Sequence, residues 1–147
     1  EGFWVASAYR YPTKRVAPGT AVPAADMAPL TGLVVKSLIT QPLEGARVPR
    51  GRITVAGFAW AGESDIARVE VSHDHGATWQ PARLTGEQAR YTWRRFEAEV
   101  VLPTAESTLL LSRATDAAGQ TQPMVAAWNP SGYLWNQPDA VRIEVTG

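Results

Sequence analysis

The strongest constraint in this chain is a two-residue rhythm. In FEAEVVL, Phe96, Ala98, Val100 and Leu102 alternate with Glu97, Glu99 and Val101. Successive side chains of a strand point to opposite faces, so this spacing describes a strand with one buried face. The rhythm recurs in ARVEVS, where Ala67, Val69 and Val71 alternate with Arg68, Glu70 and Ser72. It recurs again in VRIEVT at Val141, Ile143 and Val145. LVVKSLIT is a strand-like run ending at Gln41-Pro42, and RITVAGFAW and TLLLSRATD are more continuously apolar, as central strands are. Turn signals separate these runs at Pro49-Arg50-Gly51, Ala61-Gly62, Asp116 to Gly119 and Asn129 to Gly132. Short strands at roughly 10–15-residue spacing, with no amphipathic helix, predict an all-β immunoglobulin-like sandwich of about seven strands. No internal repeat supports a propeller.

Residues 33–147 carry this pattern, whereas residues 1–32 do not. Pro12, Pro18, Pro23 and Pro29 disfavour regular helix and central strand, because proline lacks an N–H and restricts its neighbour. An extended linker is the expectation. Yet Phe3, Trp4, Tyr9 and Tyr11 are aromatic, which predicts that the linker lies against a surface. The chain opens EGFWVASAYRYP, without an initiator methionine or a basic-then-apolar leader. It reads as a piece of a longer or processed protein.

Composition narrows the function. Of 147 residues, 45% are hydrophobic and 19% charged, a globular balance with a low charge fraction that hints at covered surface. Lys plus Arg and Asp plus Glu number 14 each, so no basic stripe points to nucleic acid. No apolar run approaches the ~20 residues of a membrane span. With no cysteine, disulfides, thiolate ligands and cysteine nucleophiles are excluded. Glu63, Asp65, Asp116 and Asp139 fall in predicted loops, where carboxylates ordinarily serve solubility. No Gly-x-Ser-x-Gly elbow or phosphate-binding glycine loop occurs.

Both histidines lie in SHDHGATWQP, at His73 and His75. At i and i+2 on a strand they would face one side. A metal site, however, needs three or four converging ligands, and no third histidine exists. A turn accounts for the stretch better. Asp74 can accept a backbone hydrogen bond toward Gly76, Gly76 can take positive φ, and Trp79 can pack across the hairpin. The pattern also resembles the Asp-box hairpin of sialidases, which those proteins usually repeat; here it occurs once. No metal site is predicted.

Six tryptophans are many for this length. Trp60, Trp79 and Trp93 are expected to fill or edge the core. Trp128, Tyr133 and Trp135 instead sit with Asn129 and Asn136 in AAWNPSGYLWNQPDA. Large aromatics in a turn-rich segment mark an interface or pocket more often than a core.

Four segments in order, GFAWAGESDIARVEVSHDHGATWQPARL, YTWRRFEAEVVLP, RATDAAGQTQP and WNPSGYLWN, resemble the C-terminal domain of sulfite oxidase-type molybdenum enzymes. FWVASAYRYP is similar to the chain leaving that family's molybdenum-cofactor domain. The resemblance implies a homodimerisation domain, inert by itself, preceded by a missing domain that holds molybdopterin and molybdenum through a cysteine. It also implies oxidation of sulfite or a related substrate, with a haem or cytochrome partner, or oxygen, taking the electrons. Bacterial relatives work in the periplasm, the compartment expected here. In animal and plant sulfite oxidases the loop matching Trp128 to Gly132 reads Trp-Asn-x-Arg-Gly, and its arginine reaches the substrate. Trp128, Asn129, Ser131 and Gly132 are therefore the expected pocket-loop residues, and Ser131 stands where that arginine would be. The rival expectation is a stand-alone immunoglobulin-like module that binds carbohydrate or protein through Trp128, Tyr133 and Trp135.

Overall fold

The computed structural model describes residues 2–103 and 107–147. The N-terminal arm holds more local order than an extended linker. A five-residue helix, α1 (Phe3–Ser7), is followed by a short ladder of β1 (Arg10–Pro12) against β2 (Met27–Pro29), with a single 3-10 turn, Ala24–Asp26, before β2. The prolines fit because β1 and β2 have only three residues each, and each pairs on one side.

Eight further strands build the sandwich: β3 (Lys36–Gln41), β4 (Arg47–Pro49), β5 (Gly51–Trp60), β6 (Ile66–Ser72), β7 (Gln80–Thr85), β8 (Arg94–Leu102), β9 (Ser107–Asp116) and β10 (Asp139–Thr146). They are hydrogen-bonded in the order β3-β5-β8-β7-β6-β9-β10-β4. This one ladder folds over on itself, and β7 is the corner. Gln80 to Ala82 pair with β6, while Arg83 to Thr85 pair with β8. Pairing is antiparallel except for β4 beside β10, which is parallel. The strand count exceeds the expected seven because a short strand, β4, follows the first run where only a turn was expected. β3 pairs with β5, and after Pro42 the chain crosses to the opposite sheet as β4 beside β10. Proline has no N–H to continue a ladder, so a crossing there sacrifices little.

The core lies between the two layers. Val55, Val69, Val71, Phe96, Val100, Leu110 and Ile143 are completely covered. On β8 the burial follows the two-residue rhythm, with Phe96, Ala98, Val100 and Leu102 inside. On β6 it does not. A bulge between Ile66 and Arg68 opposite β9 breaks the register, so Ile66 is buried and Ala67 is exposed.

The tryptophans expected to fill or edge the core do not fill it. Phe58 and Trp60 occupy the outward positions of β5 because Val55 and Ala59 take the inward ones. Trp93, just before β8, is 59% exposed and stacks on Trp60 with ring centroids 5.1 Å apart. Trp79 is half-buried, covered by the Arg113 guanidinium 4.1 Å from its ring centre. No helix among the described residues is long and apolar enough to cross a membrane.

Candidate functional site

Two turns concentrate the candidate residues. In the β6–β7 hairpin the Ser72 hydroxyl donates to Asp74 Oδ1 at 2.7 Å and accepts from the Gly76 N–H at 2.9 Å. Asp74 therefore does not receive Gly76, as local turn chemistry suggested. It accepts from the Thr78 N–H at 2.9 Å and from the Thr78 hydroxyl. The difference has a steric origin. Both His75 (φ 59°) and Gly76 (φ 85°) are left-handed, so the turn is wider and carries the Gly76 N–H toward Ser72. Trp79 closes the turn by donating its indole N–H to the Gly76 carbonyl at 3.0 Å. The hydrogen bonds from the Thr78 side chain and backbone and from Ser72, with a smaller contribution from His73, hold the Asp74 carboxyl well below the usual carboxylate range. No three His, Cys, Asp or Glu side chains converge among the described residues.

The second turn begins at Trp128. Asn129 Oδ1 accepts from the N–H groups of Ser131 (3.2 Å) and Tyr133 (3.0 Å), while its Nδ2 donates to the Tyr133 carbonyl at 2.7 Å. Gly132 and Leu134 supply the left-handed positions, with φ of 69° and 57°. Asn129 thus shapes the loop, with its Oδ1 filled by two N–H groups and one N–H of its Nδ2 uncommitted. Trp128 is half-buried, whereas Ser131 and Gly132 are exposed.

What holds this loop to the sandwich was missed in the sequence. Gln122, only 3% exposed, donates through Nε2 to the carbonyls of Asn136 (3.1 Å) and Gln137 (2.9 Å). Its Oε1 accepts from the Ala114 N–H at 2.8 Å and the Ser37 hydroxyl at 2.7 Å. Ser37 has a single hydroxyl proton, so Ser112, 2.9 Å away on the opposite sheet, must donate to it. The available signal was Ser37 itself, a polar residue between Val35 and Ile39 at an inward position of β3.

The arm meets the loop through rings. Tyr9 and Tyr133 lie 5.7 Å apart between centroids, and Trp4 lies 6.2 Å from Tyr9. Between β1 and the loop lies a cleft of about 260 Å³, walled by Tyr11, Trp128 and Tyr133 and reached by Lys14, Arg15 and Asn129. Trp135 stands outside it, 51% exposed. The structure therefore brings Trp128 and Asn129 to a cleft, sets Ser131 and Gly132 on the loop's exposed turn, and keeps Asp74, Gly76 and Trp79 within a separate hairpin.

Residues 28–146 match the family described as Mo-co oxidoreductase dimerisation domain. Mitochondrial sulfite oxidase of Mus musculus is 36% identical over 129 residues, which are 82% of this chain and 24% of that protein. Sulfite oxidase of Gallus gallus is 38% identical over 69% of this chain and 24% of its own length. Among solved structures, the sulfane dehydrogenase SoxCD from Paracoccus pantotrophus superposes with a TM-score of 0.78 at 27% identity, covering 98% of this chain and 36% of that one. The chain thus spans about a quarter of the length of the curated relatives it matches.

Proposed function

The chain belongs to the Mo-co oxidoreductase dimerisation domain family of the sulfite oxidases, and we propose that it pairs two copies of an enzyme that oxidises a sulfur compound while lending the Trp128–Gly132 loop to the substrate pocket. The observation that carries the second half is the cleft. It opens beside Trp128 and Asn129, where a neighbouring domain can complete it, and pockets favour such junctions. The relatives named sulfite oxidase and sulfane dehydrogenase both act on sulfur, which supports the substrate class. Nothing in the comparisons supports a stand-alone binding module.

The chain has no cysteine, and no three metal-ligating side chains converge among the described residues. These residues do not fit a molybdenum ligand set, so no chemical step is assigned to the metal here. The molybdopterin belongs, in our proposal, to a preceding domain, and a cytochrome takes the electrons.

For the dimer contact we assign the outer face of β3, β5 and β8. It carries the aromatic ledge of Phe58, Trp60 and Trp93, with Leu38 beside Phe58. Ion pairs lie on both outer faces, Arg95 and Arg83 with Glu97 beside the ledge and Arg47 with Glu144 and Arg68 and Arg113 with Glu70 on the other sheet, but the cluster of three aromatic rings lies on this one. Interface centres are depleted of charge and rich in aromatics, so the ledge is the better seam. Trp93→Glu should convert the dimer to monomers in sedimentation velocity; an unaltered dimer would place the seam elsewhere.

The loop is tested by Ser131→Arg in the complete enzyme. A guanidinium in a partly desolvated pocket adds about 1.5–3 kcal/mol to anion binding. The KM for sulfite should fall roughly tenfold or more, and less at high salt. An unchanged KM in folded, molybdenum-loaded protein would mean that the loop does not reach the substrate.

A further inference from the structure

We propose that the cleft between the arm and the Trp128–Gly132 loop is a subsite for a small sulfur oxyanion, with Lys14 and Arg15 supplying the positive charge that the loop lacks at Ser131. The inference rests on the assignment of the loop to a substrate pocket and names the groups that would recognise the substrate there.

The arm carries three cations, Arg10, Lys14 and Arg15, against Asp26 among its described residues. Arg10 is committed to structure. Its guanidinium donates to the carbonyls of Val5 at 3.2 Å and of Met27, pinning the helix to β2. Lys14 and Arg15 are different. Both are exposed, both line the cleft, and neither joins an ion pair among the described residues. No carboxylate among the described residues lines the cleft. Asp26 lines the adjoining hollow, which Lys14 and Arg15 border as well, and its contact with Thr13 runs through its backbone oxygen. Among the described residues, two cations outside any ion pair, with Asp26 as the one carboxylate of the adjoining hollow, leave a net positive field beside the concave wall in a chain whose net charge is zero.

The frame around these cations is fixed. Asn129 spends its side chain on the loop, Gln122 ties the far end of the loop to the sandwich core, and Tyr9 packs on Tyr133 to hold the arm in place. The ligand class follows from the size and charge. Two cations in about 260 Å³ suit a small anion with its waters, not a polyanion that needs an extended basic track. Sequence comparison with an arginine-bearing loop suggested a weakened anion site. The structure instead moves the charge from the loop to the arm, 113 or more residues earlier in the chain.

The test combines binding and kinetics. The full chain, labelled with ¹⁵N, is titrated with thiosulfate and with sulfate, against sodium chloride at equal ionic strength and dimethyl sulfone as a neutral shape. Both oxyanions should shift the Trp128 indole and Tyr133 amide resonances, and the controls should not. Two solvent-screened charge contacts together amount to roughly a tenfold gain in affinity, so Lys14→Gln with Arg15→Gln should weaken binding by about that factor. Lys14→Arg with Arg15→Lys should restore most of it, and Arg10 should show no ligand-induced shift. The subsite is overturned if the oxyanions move these resonances no more than chloride does, or if the neutralised variant binds equally well. In the complete enzyme the neutralised variant should raise KM with little change in kcat. Binding lost without a change in KM would keep the subsite and remove the loop from the catalytic pocket. A lower KM in Ser131→Arg, with binding and KM both indifferent to Lys14 and Arg15, would keep the pocket loop and remove the subsite.

Discussion

The hairpin at Asp74 and the loop at Asn129 are built with the same local chemistry and end in different places. Each uses a short polar side chain to hold the backbone of its own turn, and each uses a left-handed glycine. The hairpin turns inward. A Cβ on Gly76 would sit 3.1 Å from Met124 and 3.3 Å from Trp79, and Ser72 at its base is 2% exposed. The loop turns outward: no described residue other than its chain neighbours lies within 4 Å of the corresponding Cβ position on Gly132. A satisfied turn therefore says how the chain reverses, but what surrounds it decides whether a ligand can reach it. The choice of acid or amide also differs for a reason. Asp74 is met only by donors, which a carboxylate suits, whereas Asn129 must both accept from two N–H groups and donate to a carbonyl.

The largest effect that would sharpen this contrast is expected at Gln122→Leu. The change leaves the buried Ser37 hydroxyl and Ala114 N–H without their acceptor. At about 1–3 kcal/mol for each orphaned group, stability should fall by roughly 3 kcal/mol or more. Hydrogen exchange should accelerate at Ser131 and Tyr133 while Gly76 and Thr78 keep their protection. Equal loosening of both turns would show that Gln122 serves the whole sandwich rather than the loop.

Next comes a matched pair, Gly76→Val and Gly132→Val. Both pay about 1–2 kcal/mol for a β-branched residue in the left-handed region. Only Gly76→Val also meets close neighbours, which adds about 1–3 kcal/mol of overpacking. Urea unfolding should separate the two variants by that difference. Equal losses would break the contrast between a closed and an open turn.

Asn129→Asp should be milder. It removes the donor that meets the Tyr133 carbonyl and sets a carboxylate against it, for a loss of about 1 kcal/mol of stability read from urea unfolding. Asp74→Asn probes the other turn through pH. The Asp74 carboxyl is held below the usual range in the folded state, so its contribution to stability is present at neutral pH. That contribution is lost as pH falls from the ordinary carboxylate range, about 3.9, toward the lower folded value. Unfolding midpoints of the native chain and the Asn variant should accordingly differ at pH 7 and converge in acid. A gap that stays constant would show that the hydrogen bonds, not the charge, matter. The smallest effect is expected for His73→Ala with His75→Ala, within about 0.5 kcal/mol and indifferent to added zinc. A zinc-dependent rise in melting temperature, absent from the double variant, would make the hairpin a metal site.

Much of this was legible in order of distance along the chain. The alternation in FEAEVVL named the buried positions of β8, and Asn129 with Gly132 announced a turn, because those rules act between neighbours. They failed where a distant partner changed the register. Ala67 is exposed because β9 opposes β6 across a bulge, and Trp60 and Trp93 stack outside because the inward positions were already filled. The Asp74 turn was readable as a turn but not in its bonding, since two successive left-handed residues redirected the Gly76 N–H.

The sequence by itself determined the all-β class, most of the inward faces, the positions of the reversals and the absence of a cysteine ligand, all of which depend on residue type and spacing within a few positions. Only the tertiary structure decided that β7 would cross between sheets, that Gln122 would join Ser37 to the loop, and that Lys14 and Arg15 would stand beside Trp128. The physical reason is that local preferences are set by sterics and hydrogen bonds between near neighbours, whereas contacts between residues separated by 85 positions, as Ser37 and Gln122 are, exist only once the buried faces of many strands have packed together.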